Sequence, residues 1–545
     1  MSTLCASALE KPLMSIVKNN FIYRILKSIQ GVGQWMFQQT EGLTNAWFGP
    51  KNNPFYYLGG LTFYFLYVLV ITGIYILIFY DTSVEGAYAS VEYITHDQWY
   101  LGGIMRSIHR YASDAMILTM ILHMLRRFYN DRYNGGRTFS WVTGVPLLWM
   151  VFITGILGYW LVWDQLGQFI AVRTFEWIDW LPVIAEPTAR NFLTNEGMTN
   201  TLFRLLVVTH LALPLFLLGA MLVHTNRLHL PKVNPPRQLA VGVTLALLIL
   251  SLLHPALSHA PADLRIAPST LTFDWFYLGI YALMGVWSMK MVWIIIGGGS
   301  LLIMLLPWLP PRKRDPVAVV EDHLCSGCNL CVEDCPYEAI RLEPRTDNHK
   351  HFVMVAAVVS GKCVSCGICL ASCPVSTPFR SGPALKSAIE MPDRGLQAMK
   401  TEMVEALASI KCDSKVLLFG CENTASIDKL QQLGVARMSL RCSGMLPVSF
   451  IDYALRNGAD GVFISACRTG DCYHRLGNRW ARQRLSGERK PELRGRVPRQ
   501  RVCFHQGAAA DFDKLAQHLQ QFCQSLKRPQ TVVANVLKDG EQSLL

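Results

Sequence analysis

Cysteine is nearly missing from the apolar half of this chain. Of its 16 cysteines only Cys5 precedes residue 310, and none lies in an apolar run. That distribution excludes a disulfide framework and implies a reducing compartment. A glycine-rich nucleotide-binding motif is also missing, so flavin or NAD should reside on another polypeptide. The N-terminus lacks the order of charge, apolar run and cleavage site that marks a signal peptide. Lys11, Lys18, Arg24 and Lys27 are instead spread through an amphipathic stretch, which is expected to lie along a membrane surface.

What is present is apolar sequence. Hydrophobic residues make up 51% of the 545, and the mean hydropathy is +0.24. A chain of this length holds roughly two to four domains. Apolar runs of about 20 residues, the length that spans a bilayer, concentrate before residue 310. The pattern predicts six spanning helices at about 58–80, 104–128, 142–163, 201–228, 238–257 and 291–309. Basic residues fall before the first (Lys51), after the second (Arg126, Arg127, Arg132, Arg137), after the fourth (Arg227, Lys232, Arg237) and after the sixth (Arg312, Lys313, Arg314). The intervening loops carry Asp81, Glu85, Glu92, Asp164, Glu176, Asp179 and Glu186. Six crossings put every basic cluster, the N-terminus and the C-terminal half on the cytoplasmic side. The apolar stretch 273–288 would break this parity, and it is short. It is expected to lie in the outer part of the membrane domain without crossing. The net charge of +12 therefore needs no nucleic acid. A further basic cluster, Arg475 to Arg501, reads as a solvated surface or a docking face for an acidic partner or lipid headgroups.

Two histidine pairs sit in the second and fourth apolar runs, His109/His123 and His210/His224, each fourteen residues apart. Fourteen helical steps of ~100° return to nearly the same face ~21 Å further along the axis. Imidazoles are costly in lipid unless something binds them. Two parallel helices in this register would pair His109 with His210 near the outer face and His123 with His224 near the cytoplasmic face, each pair clamping a haem. Gly59/Gly73 and Gly144/Gly158, on the first and third runs, repeat the same spacing. They would clear room for a flat macrocycle.

Residues ~30–310 resemble cytochrome b of the bc-type and b–f-type quinol-oxidising complexes, most closely the chloroplast form. The matching stretches are LGG at 58–60, RSIHR at 106–110, the histidine pairs, WVTG at 141–144 and WDQ at 163–165. The resemblance implies two b haems on these histidines, with Arg106, Arg110 and Arg126 near haem propionates. The segment 261–281 resembles the family's outer quinol site. There the family has Pro-Glu-Trp-Tyr and this chain has Phe273-Asp274-Trp275-Phe276, so Asp274 becomes the candidate acceptor of a quinol proton. The chloroplast form attaches a further haem through a Cys just before its Leu-Gly-Gly. Tyr57 occupies that position here, so two haems are expected, not three.

Beyond Arg314 the composition becomes that of a soluble protein. Cys325-x2-Cys328-x2-Cys331-x3-Cys335-Pro336 is followed by Cys363-x2-Cys366-x2-Cys369-x3-Cys373-Pro374. This is the bacterial two-cluster ferredoxin signature, in which the fourth thiolate of each run serves the other cluster. One [4Fe–4S] set is then Cys325, Cys328, Cys331 and Cys373; the second is Cys363, Cys366, Cys369 and Cys335. Zinc sites use other spacings.

Residues ~411–525 read as a small α/β domain. KVLLFGC and GVFISAC are strand-like runs ending in Cys421 and Cys467, with a helix between them. With Cys442 and Cys472 they supply four thiolates, suited to a [2Fe–2S] cluster; zinc or structural thiols remain alternatives. RCSG and NGADGVFISACRTGDCYHRLGN resemble the delta subunit of methyl-viologen-reducing hydrogenase, a [2Fe–2S] protein. That family often has several cysteines in its first motif; only Cys421 remains here, with Thr424 where another is common. Cys412 is the alternative should one of the four not ligate, and Cys5, Cys503 and Cys523 are not expected to ligate. The resemblance implies a partner like the flavoprotein component of heterodisulfide reductase.

The expected architecture is a multidomain chain: an interfacial N-terminal segment (1–57), an all-α transmembrane haem-binding bundle (58–310), a ferredoxin α+β domain (315–380), a linker or helix (381–410), an α/β iron–sulfur domain (411–525) and a tail (526–545). Such a chain would sit in a bacterial inner membrane as the electron-transfer subunit of a quinone/quinol oxidoreductase. It would link the quinone pool, through haems and clusters, to a cytoplasmic flavin-containing partner. The Asp274 segment favours quinol oxidation driving reduction of a low-potential acceptor; the reverse flow stays open. The alternatives are the core of a bifurcating bc-type complex with a separate Rieske protein, and a redox sensor or scaffold. A homodimer is implied by the resemblance only.

Overall fold

The computed structural model describes residues 21–181, 198–226, 233–268, 271–272, 274, 276–309, 316–347, 351–380, 385–412, 414–430, 434–469, 471–509 and 511–527. Several expectations lie outside them: Cys5, Lys11, Lys18, Glu186, Arg227, Lys232, Phe273, Trp275, Arg312 to Arg314 and the tail from 528. The chain divides into two units, a membrane unit within residues 1–312 and a second unit dominated by 313–545.

The membrane unit is helical. Its elements are α1 (Phe21–Phe48), α2 (Leu58–Phe79), α3 (Val84–Glu92), α4 (Ile104–Tyr129), α5 (Thr138–Val162), α6 (Gln165–Asp179), α7 (Asn200–Thr225), α8 (Arg237–Leu253), α9 (Gly279–Val286) and α10 (Met289–Trp308). Among the described residues four helices, α2, α5, α7 and α10, are long and apolar enough to cross a membrane, where six were expected. α4 is long enough at 26 residues, but it carries Arg106, Arg110, Asp114, Arg126 and Arg127. α8 has 17 residues, about 26 Å at ~1.5 Å each against a hydrocarbon core of ~30 Å. The segment around 273–288 forms the eight-residue α9, far too short to span. Side chains such as Leu61, Phe65, Met116, Val151 and Leu217 fill the bundle core, while Ile71, Ile78, Leu215 and Phe216 point outward as lipid-facing residues do. Lys27 of α1 pairs with Asp131 at 2.8 Å, and Gln30 donates to the Phe128 carbonyl at 3.0 Å. These bonds tie α1 to the end of α4. α10 is fastened to α5 and α6 by Trp141 Nε1 donating to Ile303 O (2.6 Å) and Trp293 Nε1 donating to Trp177 O (2.8 Å).

The second unit opens with the short strand β1 (Val319–Val320), α11 (Leu330–Asp334), the antiparallel hairpin β2 (Ile340–Pro344) and β3 (Met354–Val358), α12 (Ile368–Ser372), and β4 (Ile389–Glu390), which pairs with β1. There follow α13 (Leu396–Ala408), β5 (Val416–Cys421), β6 (Val435–Leu440), α14 (Ser449–Arg456), β7 (Gly461–Cys467), α15 (Gly477–Ser486), β8 (Val502–Gly507) and α16 (Phe512–Leu526). The last four strands form one parallel sheet in the order β6-β5-β7-β8. Buried on both faces, β5 and β7 read as continuous apolar runs, as parallel strands do. α13, in the stretch expected as a linker or helix, packs Leu396, Met399, Met403 and Leu407 into the core with Leu417, Phe419 and Met438.

Candidate functional site

Each of the four glycines faces one of the four histidines. A Cβ added at Gly73 would lie 3.1 Å from His109 Cε1, at Gly158 3.2 Å from His210 Cε1, at Gly59 3.1 Å from His123 Cε1 and at Gly144 3.5 Å from His224 Cε1. α2 therefore backs both histidines of α4, and α5 backs both histidines of α7. The His109 and His210 ring centres are 6.4 Å apart. Two metal–imidazole bonds of about 2 Å plus two half-rings span roughly 6 Å, so one iron fits between them.

Three threonines set the ring tautomers. The Thr72 hydroxyl donates to the Val68 carbonyl at 2.8 Å. Its single proton is thereby used, so at 2.9 Å from His109 Nδ1 it accepts the ring N–H. Thr143 repeats the arrangement, donating to Phe139 O at 2.8 Å and accepting from His224 Nδ1 at 2.9 Å. His210 Nδ1 donates to the Thr154 carbonyl at 3.0 Å. With the proton on Nδ1, the Nε2 lone pair of each ring is free for a metal. Sequence reasoning missed these threonines, although Thr72-Gly73 and Thr143-Gly144 repeat one dipeptide beside two of the cradle glycines.

The outer segment is tied down by Asp164 and Gln168. Asp164 caps α6 through Gly167 N (2.8 Å) and accepts from His259 N (2.8 Å); Gln168 and Asp263 exchange bonds at 2.8 Å. Asp274 accepts from Tyr277 N at 2.7 Å, from Arg110 Nη2 at 2.6 Å and from the Tyr159 hydroxyl. Arg110 also binds Asp114 at 2.6 Å. Expected beside a haem propionate, Arg110 is thus placed between two carboxylates, and Asp114 is an acid that sequence reasoning did not single out. Arg106 reaches Ser258 Oγ at 2.7 Å and Thr95. Arg126 is buried with its guanidinium 5.4 Å from the Tyr56 ring centre.

In the second unit the two cysteine runs interleave. Cys325, Cys328, Cys331 and Cys373 line one cavity; Cys335, Cys363, Cys366 and Cys369 line another. Each cavity takes three sulfurs from one run and the fourth from the other. Burial and the neighbouring thiols push Cys331 up to about 12, and burial pushes Cys366 up to about 12. Such crowded donors lose their protons together only when a cationic centre neutralises them. Among the described residues no group of three or more His, Cys, Asp or Glu is disposed to hold a single metal ion.

Cys421 and Cys467 end the adjacent parallel strands β5 and β7, where the strand order reverses. Ligands gather at such a position in parallel sheets. Their sulfurs lie 3.6 Å apart, and Cys472 packs with them. Cys442 meets Cys472, and that bond with burial pushes the Cys442 thiol up. Thr424 uses its hydroxyl on the Cys421 carbonyl (2.9 Å). Cys503 and Cys523 pack on the far side of the sheet among Val416, Phe463 and Leu515, away from this cluster.

Residues 44–231 match the family "Cytochrome b/b6/petB". Residues 324–377 match "4Fe-4S dicluster domain", and residues 416–528 match "Methyl-viologen-reducing hydrogenase, delta subunit". Cytochrome b6 of Mesostigma viride is 35% identical over 186 residues, 34% of this chain and 86% of that protein. A solved structure described as "Hyperthermophilic respiratory Complex III" aligns at 19% identity and TM-score 0.39, covering 47% of this chain and 75% of that one. The chain belongs to the cytochrome b/b6 family: it is a haem-b membrane electron-transfer protein whose C-terminal half adds a 4Fe–4S dicluster domain and a hydrogenase delta-subunit domain.

Proposed function

We propose that this chain is the electron-transfer subunit of a quinone/quinol oxidoreductase in a bacterial inner membrane. It joins the quinone pool to a cytoplasmic flavin-containing partner and works in the direction of quinol oxidation. The observation that carries the reading is one polypeptide holding both the histidine–glycine ladder and three separate cysteine sites. Haem-binding and cluster-binding parts therefore cannot dissociate from each other.

When bound, the haems and clusters supply one-electron redox chemistry, and the protein supplies ligands, orientation and proton handling. His109 with His210, and His123 with His224, would hold two b haems. The two interleaved cysteine sets would hold two [4Fe–4S] clusters, and Cys421, Cys442, Cys467 and Cys472 a [2Fe–2S] cluster. Asp274 would accept a quinol proton at the oxygen now bonded to Tyr159. A quinol hydroxyl can replace that phenol, while Arg110 and Tyr277 N keep the carboxylate in place. Arg126, Arg127, Arg132 and Arg137, grouped at one end of α4, support a cytoplasmic location for that end and for the cluster domains.

The test is purification with native partners, then optical redox titration of the haems with quinol and with reduced ferredoxin or NAD(P)H. A co-purifying flavoprotein and haems reducible by quinol are expected. A Rieske protein in its place would favour a bifurcating bc-type core, and haems inert to quinol would favour a sensor.

A further inference from the structure

The basic run from Arg475 to Arg501 is mostly exposed, but several of its arginines are tied to partners. Arg496 pairs with Asp452 at 2.6 Å, and Arg501 Nη2 donates to the Ala459 carbonyl at 2.6 Å. Others reach from the last domain into the ferredoxin domain, and their targets share one property: each acceptor sits beside a cluster cysteine. Arg475 Nη1 donates to the carbonyl of Pro336, next to Cys335, at 3.0 Å. Trp480 Nε1 donates to the carbonyl of Asp334, on the other side of Cys335, at 3.1 Å. Arg441, outside the run, donates to the carbonyl of Ser365, next to Cys366, at 3.2 Å.

Arg484 is the centre of this set and is fully buried. Nη1 donates to the Gly444 carbonyl at 2.9 Å. Nη2 donates to Ser372 Oγ at 2.7 Å and to the Asp334 carboxylate. Ser372 precedes Cys373, Asp334 precedes Cys335, and the N–H of Gly444 donates to Cys442 Sγ at 3.4 Å. One guanidinium thus grips the ligand turns of all three cysteine sites. Arg489 pairs with the other oxygen of Asp334 at 3.1 Å and stacks on Trp480, 3.6 Å from its ring centre. A buried charge is retained only when it is paired and hydrogen-bonded, and this one is bonded only to groups that flank ligands.

The seam it closes is thin. Cys366 of the second cysteine run packs against the cluster of Ile368, Cys442, Leu476 and Trp480. A Cβ at Gly367, where φ is +74°, would meet Met445 Cε at 3.0 Å, and one at Gly477 would meet Cys442 Sγ. Neither position has room for a side chain between the two sites.

We propose that Arg484 is a positioning residue that sets the distance between the cluster site of Cys335, Cys363, Cys366 and Cys369 and the four-cysteine site of the last domain. This rests on the reading that both sites bind clusters. Arg484→Lys keeps the charge but lacks the planar fork that reaches three acceptors, and Arg484→Met loses the charge as well. In the anaerobically purified full chain, both variants should keep their iron. The magnetic coupling between the two reduced clusters, read from electron spin relaxation, should weaken at least ~twofold, more in Met than in Lys. Unchanged coupling in both variants, with every cluster present, overturns the proposal alone. Loss of iron from both variants also overturns it, because Arg484 would then hold ligands instead of spacing sites. A wild-type chain without a cluster signal from Cys421, Cys442, Cys467 and Cys472 sinks the reading of that site, and the proposal with it.

Discussion

A methyl group placed at each of the four cradle glycines should have unequal effects. At Gly59 and Gly73 the added Cβ would lie 3.1 Å from the facing histidine, and at Gly158 3.2 Å. Those separations are tighter than ordinary carbon contact, so the ring must shift. At Gly144 the separation is 3.5 Å, which is ordinary contact. Overpacking of this kind costs about 1–3 kcal/mol, or roughly 5- to 150-fold in affinity for whatever the rings hold. Gly59→Ala, Gly73→Ala and Gly158→Ala should each weaken haem retention by that factor, and Gly144→Ala by less than ~twofold. The damage should be local. Gly73 and Gly158 act on the His109/His210 pair and Gly59 on His123/His224, ~21 Å away along the helix. A Gly59→Ala, Gly73→Ala double variant should therefore show additive losses. The assay is the haem-to-protein ratio through detergent dilution, resolved optically into two components. A Gly144→Ala variant as damaged as Gly73→Ala, or four silent variants, would refute a steric role for these glycines.

Thr143→Val removes the acceptor of the His224 N–H. A net hydrogen bond of ~0.5–1.5 kcal/mol should make the inner haem dissociate more readily and shift its potential, leaving the outer haem unchanged in the same optical titration. Asp274→Ala should slow quinol oxidation ~10²- to 10⁴-fold while both haems stay bound; unchanged turnover would remove Asp274 from the proton path. Cys335→Ser should abolish the cluster of Cys363, Cys366 and Cys369 and spare that of Cys325, Cys328 and Cys331. Loss of the latter instead, by electron paramagnetic resonance and iron content, would mean that each run serves its own cluster.

What was legible in the sequence is what repeats at a fixed spacing. Fourteen residues separate the histidines and the glycines because side chains on one helix face recur with that period, and the paired ferredoxin runs carry their own register. Apolar strands ending in Cys421 and Cys467 were legible for a similar reason, since neighbouring parallel strands end together. Groups whose partners are distant in sequence were not legible. Arg110 reads as one more cation near a histidine, and only the fold brings Asp274, 164 residues away, onto its other nitrogen. Arg484 reads as part of a charged run. Its acceptors Asp334 and Ser372 lie 150 and 112 residues back, and neither is marked by any motif. Thr72 and Thr143 lie between these cases: each precedes a cradle glycine, but threonine in an apolar helix is common enough to carry no signal alone. Two charges of α4 meet partners outside that helix: Arg110 pairs with Asp274, and Arg106 bonds Thr95 and Ser258.

The central claim is that one chain conducts electrons between quinone and the cysteine-bound clusters. The most direct measurement is anaerobic mixing of the purified full chain with excess quinol, following the haems optically and the clusters by electron paramagnetic resonance in the same samples. Quinol should reduce the haems in wild type and in a Cys472→Ser variant, and the signal from the four-cysteine site should be lost only in the variant. Haems that quinol does not reduce and quinone does not oxidise, in a chain with all its haem and iron bound, would contradict the central claim.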